Sequence, residues 1–334
     1  MTTATMPSAE IVFDTMFAYQ RSAALKTAID LDLFTHIDTG QKTSSEIASR
    51  TGASERGIRI LCDYLCTIGL LVKSGGSYRL TAETAAFLSQ KSPAYLGTTV
   101  KFLLLPELKQ NMEVLTEAVR GGGITSSGAN TVVEENPIWV EFARSMGPMM
   151  VPAAHAIADL LAGQGPVKVL DIAAGHGLFG IAIAQHNPQA EILAVDWPNV
   201  LAVATEHARA AQVQGRHRTL AGDAFRVHFP TGFDAALVTN FLHHFDPPTC
   251  TSFLSKVHRA LKPGGRVAVL EFVPNPDRVS PPVPARFSLA MLANTPAGDA
   301  YTLAELTGQL EGAGFKNVSA HALPTPQLVL IAEK

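Results

Sequence analysis

The chain has 334 residues, 47% of them hydrophobic and 16% charged, with a formal net charge of −3. That length supports two or three domains around a large core. The charge balance leaves no electrostatic footprint for nucleic acid or an anionic membrane. The first residues, Met1 to Ser8, lack a basic segment followed by an apolar core, and no uncharged apolar run is long enough to span a bilayer. Neither a signal peptide nor a membrane partner is expected, and the cytoplasm is the expected location. Of the three cysteines, Cys62 and Cys66 lie four apart on a predicted helix and Cys250 stands alone. That spacing suits core packing better than a disulfide or a metal site.

Residues 10–35 carry Ile11, Val12, Met16, Phe17, Ala24, Leu25, Ile29, Leu31 and Leu33 with the period of an amphipathic helix. Thr43-x-x-Glu46 is a capping box that opens a short helix through Arg50, and Gly52 stops it. A further helix runs from Ser54 to about Gly69. Leu70-Leu-Val72 and Tyr78-Arg-Leu80 then flank Lys73-Ser-Gly-Gly-Ser77, a hairpin with a glycine turn. Helix, turn, helix and hairpin make a winged helix over residues 10–95. Such a module binds DNA or pairs two subunits. The second helix carries only Arg56 and Arg59 among mostly apolar residues. Burial against a second copy suits it better, which implies a homodimer and no nucleic-acid partner.

Residues 92–120 read as helical, Gly121 to Gly128 as a flexible loop, and Pro137 to Leu161 as helical again, with Trp139, Phe142, Met146, Met149 and Met150. Met and aromatic residues at this spacing fit a core, and they equally fit the wall of an adaptable apolar pocket. Residues 96–160 are therefore read as a helical linker lining a pocket, ahead of a third segment, 161–334.

That third segment is organised around Val167 to Gly180. Val167, Val169, Leu170 and Ile172 form a short apolar strand, Asp171 sits near its end, and a small-residue turn leads into a helix at Leu178. Gly175-x-Gly177-x-x-Gly180 matches a dinucleotide fingerprint. Asp171-x-Ala173-x-Gly175-x-Gly177 resembles the D/E-x-G-x-G-x-G motif of class I S-adenosylmethionine (SAM) methyltransferases, with Ala173 in place of the first glycine. A second apolar run ends at Asp196, where an acid can grip a ribose diol. Asp171 separates the two registers: a carboxylate suits the cationic amino-acid end of SAM and repels the pyrophosphate of NAD. Gly222-Asp223-Ala224-Phe225 follows a third apolar stretch. Asp223 alone also fits a helix N-cap; in SAM methyltransferases an acid here meets the adenine amino group and the aromatic packs on the ring.

Phe233 to Val238 is a fourth strand, and His243 and His244 follow its carboxyl end, the ligand edge of an open parallel sheet. A helix over 248–261, the turn Lys262-Pro-Gly-Gly265 and the strand Arg266–Leu270 come next, with Glu271 at that strand's end. Thr302-x-x-Glu305 is a second capping box, and strands near 316–322 and 328–332 close the chain. There is no internal repeat and no metal motif.

With these elements in order, residues 10–334 resemble the two-domain small-molecule O-methyltransferases, which include caffeate-type, acetylserotonin and bacterial natural-product enzymes. The resemblance implies an α/β class I methyltransferase fold: a Rossmann-like seven-stranded sheet behind an N-terminal α-helical winged-helix dimerisation domain. It implies SAM held by Asp171, Ala173, Gly175, Gly177, Asp196, Trp197, Asp223, Ala224, Phe225 and Asn240. It places a catalytic His at His243, in Leu242-His243-His244-Phe245, with Glu271 as the acid that orients it. It places the acceptor among Trp139, Phe142, Met146, Met150, His244, Phe287, Met291 and Asn294. His176 fits either a structural or a cofactor-edge role. Two departures stand out: His244 replaces the acid after the catalytic His, and the family's second acid falls on Ala300 in Gly298-Asp299-Ala300-Tyr301-Thr302.

The expected chemistry is attack of a nucleophile on the sulfonium methyl, helped by alignment and a dry pocket. A phenol is mostly neutral at pH 7, so His243 would act as its base. Methylation of an aromatic or polyketide-like hydroxyl in secondary metabolism is the leading reading. Carbon or nitrogen methylation, or another SAM reaction on this scaffold, is the alternative. A winged-helix regulator that senses a small molecule is the reading from another class. An NAD oxidoreductase fits Asp171 and residues 223–225 poorly.

Overall fold

Asp32 interrupts the N-terminal helical stretch by adopting a left-handed conformation (φ 50°). With a second break at Phe17, the expected single helix over 10–35 is three: α1 (Glu10–Met16), α2 (Ala18–Asp30) and α3 (Leu33–Ile37). The turn brings Leu33, Phe34 and Ile37 into a core with Ile47, Ile58, Cys62, Leu65 and Tyr78. The structure is a computed structural model that describes residues 7–124, 131–163 and 165–334. The chain divides into two compact units, residues 1–104 and 105–334.

In the first unit, β1 (Lys42–Thr43) leads into α4 (Ser44–Thr51), where the Thr43/Glu46 capping box is formed on both sides and Gly52 ends the helix in a left-handed conformation. Ser54 caps α5 (Glu55–Thr67). The apolar face of α5, expected to meet a second subunit, is instead used at home, with Ile58, Cys62 and Leu65 buried in the unit's own core. β2 (Leu71–Ser74) and β3 (Ser77–Leu80) form the expected hairpin across Gly75-Gly76, both at positive φ as a two-residue turn requires. β1 completes the sheet in the order β1-β3-β2. Asp63 on α5 accepts from Tyr78 (2.7 Å) and Lys73 (2.6 Å), which pins the wing to the helix. α1 has no buried residue, and Ile11, Phe13, Met16 and Tyr19 are all exposed. α6 (Ala82–Leu88) follows.

The expected helix over 92–120 is also broken. A single 3-10 turn (Gly97–Thr99) and α7 (Val100–Leu103) end the first unit, and α8 (Pro106–Glu113) and α9 (Leu115–Gly121) open the second. Pro106 is the cause at one joint: it holds Leu105 extended (ψ 141°). The unit boundary thus falls inside the stretch 96–160. The expected loop after Gly121 begins at Gly122 and Gly123, and residues 125–130 of it lie outside the described residues. Residues 137–161 form α10 (Ile138–Ser145) and α11 (Gly147–Leu161), parted at Met146 just before Gly147-Pro148.

Among the described residues, seven strands of the second unit form one sheet: β4 (Val167–Ile172), β5 (Ala190–Asp196), β6 (His217–Ala221), β7 (Phe233–Thr239), β8 (Leu261–Glu271), β9 (Lys316–Ala322) and β10 (Leu328–Glu333). The order is β6-β5-β4-β7-β8-β10-β9, parallel except for β10, which runs antiparallel to both neighbours. Lys262–Gly265, expected as a turn ahead of the fifth strand, belong to β8 itself. The helices between strands are α12 (Leu178–His186), α13 (Pro198–Ala210), α14 (Pro247–Ala260), α15 (Pro282–Asn294) and α16 (Leu303–Gly312). Leu170 and Ile172 of β4 pack with Phe253, Leu254 and Val257 of α14 and Leu306 and Leu310 of α16. Strand alternation sends Asp171 to the opposite face, toward α12. β4 is flanked by β5 on one side and β7 on the other, so the chain reverses its winding there. The crevice at such a switch point is where open α/β sheets take ligands.

Candidate active site

The carboxyl ends of β4, β5 and β6 gather three acids. Asp171 is fully buried; its Oδ2 accepts the Gly180 N–H of α12 (3.1 Å), while Oδ1 is buried with no partner. Burial pushes this carboxyl up to about 7, the Gly180 N–H opposing and Asp196 adding to the rise. Asp196 accepts from Gly175 N–H through Oδ2 (2.8 Å) and from Trp197 N–H through Oδ1 (2.7 Å). Even with both donors, burial pushes it up to about 6. Gly177 caps α12 at φ 73°, and a Cβ on Gly180 would lie 2.7 Å from Ile192 Cγ2 and 2.8 Å from Asp171 Oδ2. Gly180, outside the methyltransferase register, thus lets α12 approach the sheet and deliver its N–H to Asp171. Ala173 takes the left-handed conformation (φ 50°) where the motif has glycine.

These residues fit SAM. An unpartnered buried carboxylate oxygen with a raised pKa is the group that an ammonium would satisfy. Asp196 stands where a ribose acid stands in such sheets. Asp223 accepts the Phe225 N–H (2.8 Å), and Phe225 lies exposed against Phe245, Phe253 and Phe241. Ala224 presents its carbonyl to Lys256. Trp197 packs between α10 and α13 with Ala143, Val200 and Val203. His176 is buried and its Nδ1 accepts the Leu178 N–H (3.2 Å); burial, with His207 adding, holds its pKa down to about 3. Its ring stacks on Phe142, 5.9 Å between centroids. Asn240 is in the left-handed region, and its amide joins Gln327 and Met150 Sδ. Gln327, which sequence patterning gave no reason to single out, is buried beside it.

On the other side of β4, a single 3-10 turn, Leu242–His244, follows β7. His243 and Glu271 are both buried, and Nδ1 meets Glu271 Oε2 at 2.5 Å. Glu271 Oε1 accepts the main-chain N–H of Leu242 (2.8 Å), Phe241 (3.1 Å) and His243 (3.4 Å). One carboxylate therefore orients the ring and closes the turn that carries it. With Nδ1–H on the carboxylate, Nε2 keeps its lone pair. The ring is flanked edge-on by Phe287 (4.8 Å between centroids) and at a tilt by His244 (4.3 Å). His244 lies edge-on to Trp139, its Nδ1 buried without a partner; burial, with His243 adding, holds it well below the usual histidine range.

The loop after α15 presses on this turn. A Cβ on Gly298 would lie 2.2 Å from the His243 carbonyl oxygen, so only glycine allows the approach. Ala300 is fully buried, Asp299 pairs with Arg278 (3.1 Å), and the Tyr301 hydroxyl donates to the Phe245 carbonyl. The neighbouring acid of this stretch is thus tied up with an arginine, and His243 has Glu271 as its orienting carboxylate. Met146 and Met150 are buried, Trp139 and Phe142 pack edge to face (5.8 Å), and Phe287 lies on Phe272 with Met291 buried on the same helix. Asn294 is a tie rather than an open group. Its Oδ1 accepts from Asn111 on α8 (2.7 Å), its amide donates to Ala290, and its carbonyl accepts from Thr131. Among the described residues no group of three or more His, Cys, Asp or Glu side chains could hold a metal ion.

Two family models match the chain. Residues 139–316 match the O-methyltransferase domain model and residues 13–90 the O-methyltransferase dimerisation domain model. The 3-hydroxy-5-methyl-1-naphthoate 3-O-methyltransferase of Streptomyces sahachiroi is 30% identical over 92% of this chain and 89% of its own. The L-tyrosine C(3)-methyltransferase of Streptomyces lavendulae is 27% identical over 93% and 88%. A solved structure from Nostoc punctiforme, designated an O-methyltransferase without a stated acceptor, is 49% identical, covers 99% of this chain and all of its own, and superposes with a TM-score of 0.95. The chain belongs to the O-methyltransferase family and is a methyltransferase that uses SAM.

Proposed function

We propose that the chain methylates a hydroxyl of a small aromatic or polyketide-like acceptor, with His243 as the base. The observation that supports this most is the buried His243–Glu271 pair beside the sheet's switch point, which leaves Nε2 free to accept a proton. SAM supplies the electrophilic methyl. Asp171 Oδ1 pairs with its ammonium, Asp196 with the ribose diol, and Asp223 and Phe225 with the adenine. His243 Nε2 removes the hydroxyl proton, and Glu271 stabilises the imidazolium that results, as a carboxylate does in Ser-His-Asp sites. For a phenol of pKa about 10 such a base is worth about 10²–10⁴-fold. Trp139, Phe142, Met146, Met150, Phe287 and Met291 keep the site apolar and dry. The naphthoate relative makes hydroxylated bicyclic aromatics the acceptors to try first. Incubation with ¹³C-methyl SAM and a panel of such phenols, read by NMR, should place the label on oxygen.

A second reading, transfer to carbon, has its own support: Ala300 replaces an acid, and the tyrosine enzyme, whose name places its methyl on carbon, is 27% identical. A label on a ring carbon would establish it. We also read the chain as a homodimer, supported by the dimerisation-domain match and the exposed apolar residues of α1 and α2. Light scattering at micromolar concentration should give twice the 35.5 kDa monomer mass; a clean monomer would refute it.

A further inference from the structure

Lys256 on α14 does something its exposed neighbours do not. Its ammonium donates to three main-chain carbonyls, Val227 (2.6 Å), Ala224 (2.7 Å) and Phe225 (2.9 Å), which use all three of its N–H donors. It also lies 4.2 Å from the centroid of the Phe229 ring. The three carbonyls come from one tight turn. Asp223 starts it by accepting the N–H of Arg226 (2.9 Å) and Val227 (2.8 Å) at its carbonyl and of Phe225 at its carboxylate. Carbonyl dipoles that converge with their negative ends together repel one another, and the Lys256 ammonium offsets that repulsion. Burial of the half-buried Lys256 ammonium lowers its pKa, with the Asp223 charge opposing and Arg259 adding to the fall.

We infer that Lys256 is a positioning residue for the adenine end of SAM: its ammonium is the template on which residues 223–227 fold, and so sets the Asp223 carboxylate and the Phe225 ring. The inference rests on the assignment of those two residues to adenine. The ammonium meets the three carbonyls as a compact point donor, whereas a guanidinium would present its N–H groups in one plane.

The test is calorimetric titration of S-adenosylhomocysteine into the full-length protein and its Lys256→Met, Lys256→Cys and Asp223→Ala variants, with steady-state kinetics in parallel. Loss of charge-assisted bonds predicts about 10- to 100-fold weaker binding for Lys256→Met and Lys256→Cys. KM for SAM should rise in step, with kcat at saturating SAM within about twofold of wild type. Treating Lys256→Cys with 2-bromoethylamine rebuilds a lysine-like ammonium and should restore binding, with treated wild type as the control for Cys62, Cys66 and Cys250. Weakening that aminoethylation does not reverse, or a loss confined to kcat, means general damage to the fold and overturns the inference. Unchanged binding in Lys256→Met alongside weakened binding in Asp223→Ala overturns it and leaves the adenine assignment standing. Unchanged binding in both variants overturns the two together.

Discussion

The two sides of the sheet's switch point hold their polar groups by different means. At β4, β5 and β6 the acids are set by nearby main chain: Asp171 by Gly180, Asp196 by Gly175 and Trp197, Asp223 by Phe225. At β7 and β8 two side chains hold each other, His243 and Glu271, 28 residues apart in sequence. The first side is a binding device built from loop conformation; the second is a chemical device built from one buried pair. Changes on the first should therefore alter affinity and leave chemistry alone, and changes on the second should do the reverse.

The largest effect tests the second side. His243→Gln should cut turnover by about 10²–10⁴-fold while SAM affinity, measured by calorimetry, stays at the wild-type value. The loss should shrink for acceptors whose hydroxyl is already ionised. Near-normal turnover would erase the contrast and favour methylation of carbon or of a pre-ionised oxygen. Glu271→Gln looks milder from sequence, because it only holds the ring. The structure raises the expectation to the same range. The amide oxygen must face the three N–H groups that Oε1 accepts, which turns the NH₂ toward Nδ1 and forces the proton onto Nε2. A clear retention of activity in Glu271→Gln would contradict that geometry.

On the first side, Asp196→Ala should weaken SAM by about 1.5–3 kcal/mol, as for loss of a charge-assisted hydrogen bond, with kcat at saturation little changed. The upper end is expected, since the variant also releases Gly175 and Trp197. If kcat falls with affinity unmoved, the division between the two sides is wrong.

A smaller, pH-dependent effect sharpens the same side. Asp171, at about 7 in the folded protein, lies above its unfolded value of about 4. Its contribution to stability is fully present below the unfolded value and is lost as pH rises through about 7. Ligand-free wild type should therefore gain melting temperature relative to Asp171→Asn as pH falls from 8 to 5. SAM binding needs the charged form, so its affinity should fall over that same interval, and Asp171→Asn should remove the Asp171 share of both trends while that of Asp196, at about 6, remains. Parallel rather than opposed trends would remove Asp171 from the ammonium site.

The smallest effect concerns Ala173. A left-handed alanine costs about 1–2 kcal/mol and a glycine's extra chain entropy about 0.5–1 kcal/mol. Ala173→Gly should thus stabilise the protein by up to about 1.5 kcal/mol, read as a rise of a few degrees in thermal unfolding. SAM affinity should stay within about twofold; a lower melting temperature would show that the alanine methyl packs usefully.

By itself the sequence determined whatever depends on short spacing. The Asp171–Gly177 turn, Asp196 and Asp223 each follow a strand within a few residues, and the capping boxes at Thr43 and Thr302 and the Gly75-Gly76 hairpin are local hydrogen-bond patterns that form as read. Helix continuity was less legible, because periodicity runs on through Asp32, Pro106 and Gly147-Pro148 while the backbone does not. What the tertiary structure alone decided are the contacts between segments far apart in the chain. The apolar stripe on α5 marks a buried face without saying which partner buries it, and the fold gives it to the unit's own core. Glu271 closes the turn that carries His243, Gln327 meets Asn240, Gly298 yields room to the His243 carbonyl, and Lys256 gathers three carbonyls of a turn about thirty residues away. Each of these depends on which strand lies beside which, and the order β6-β5-β4-β7-β8-β10-β9 is settled by the packing of both sheet faces together, which no local spacing encodes.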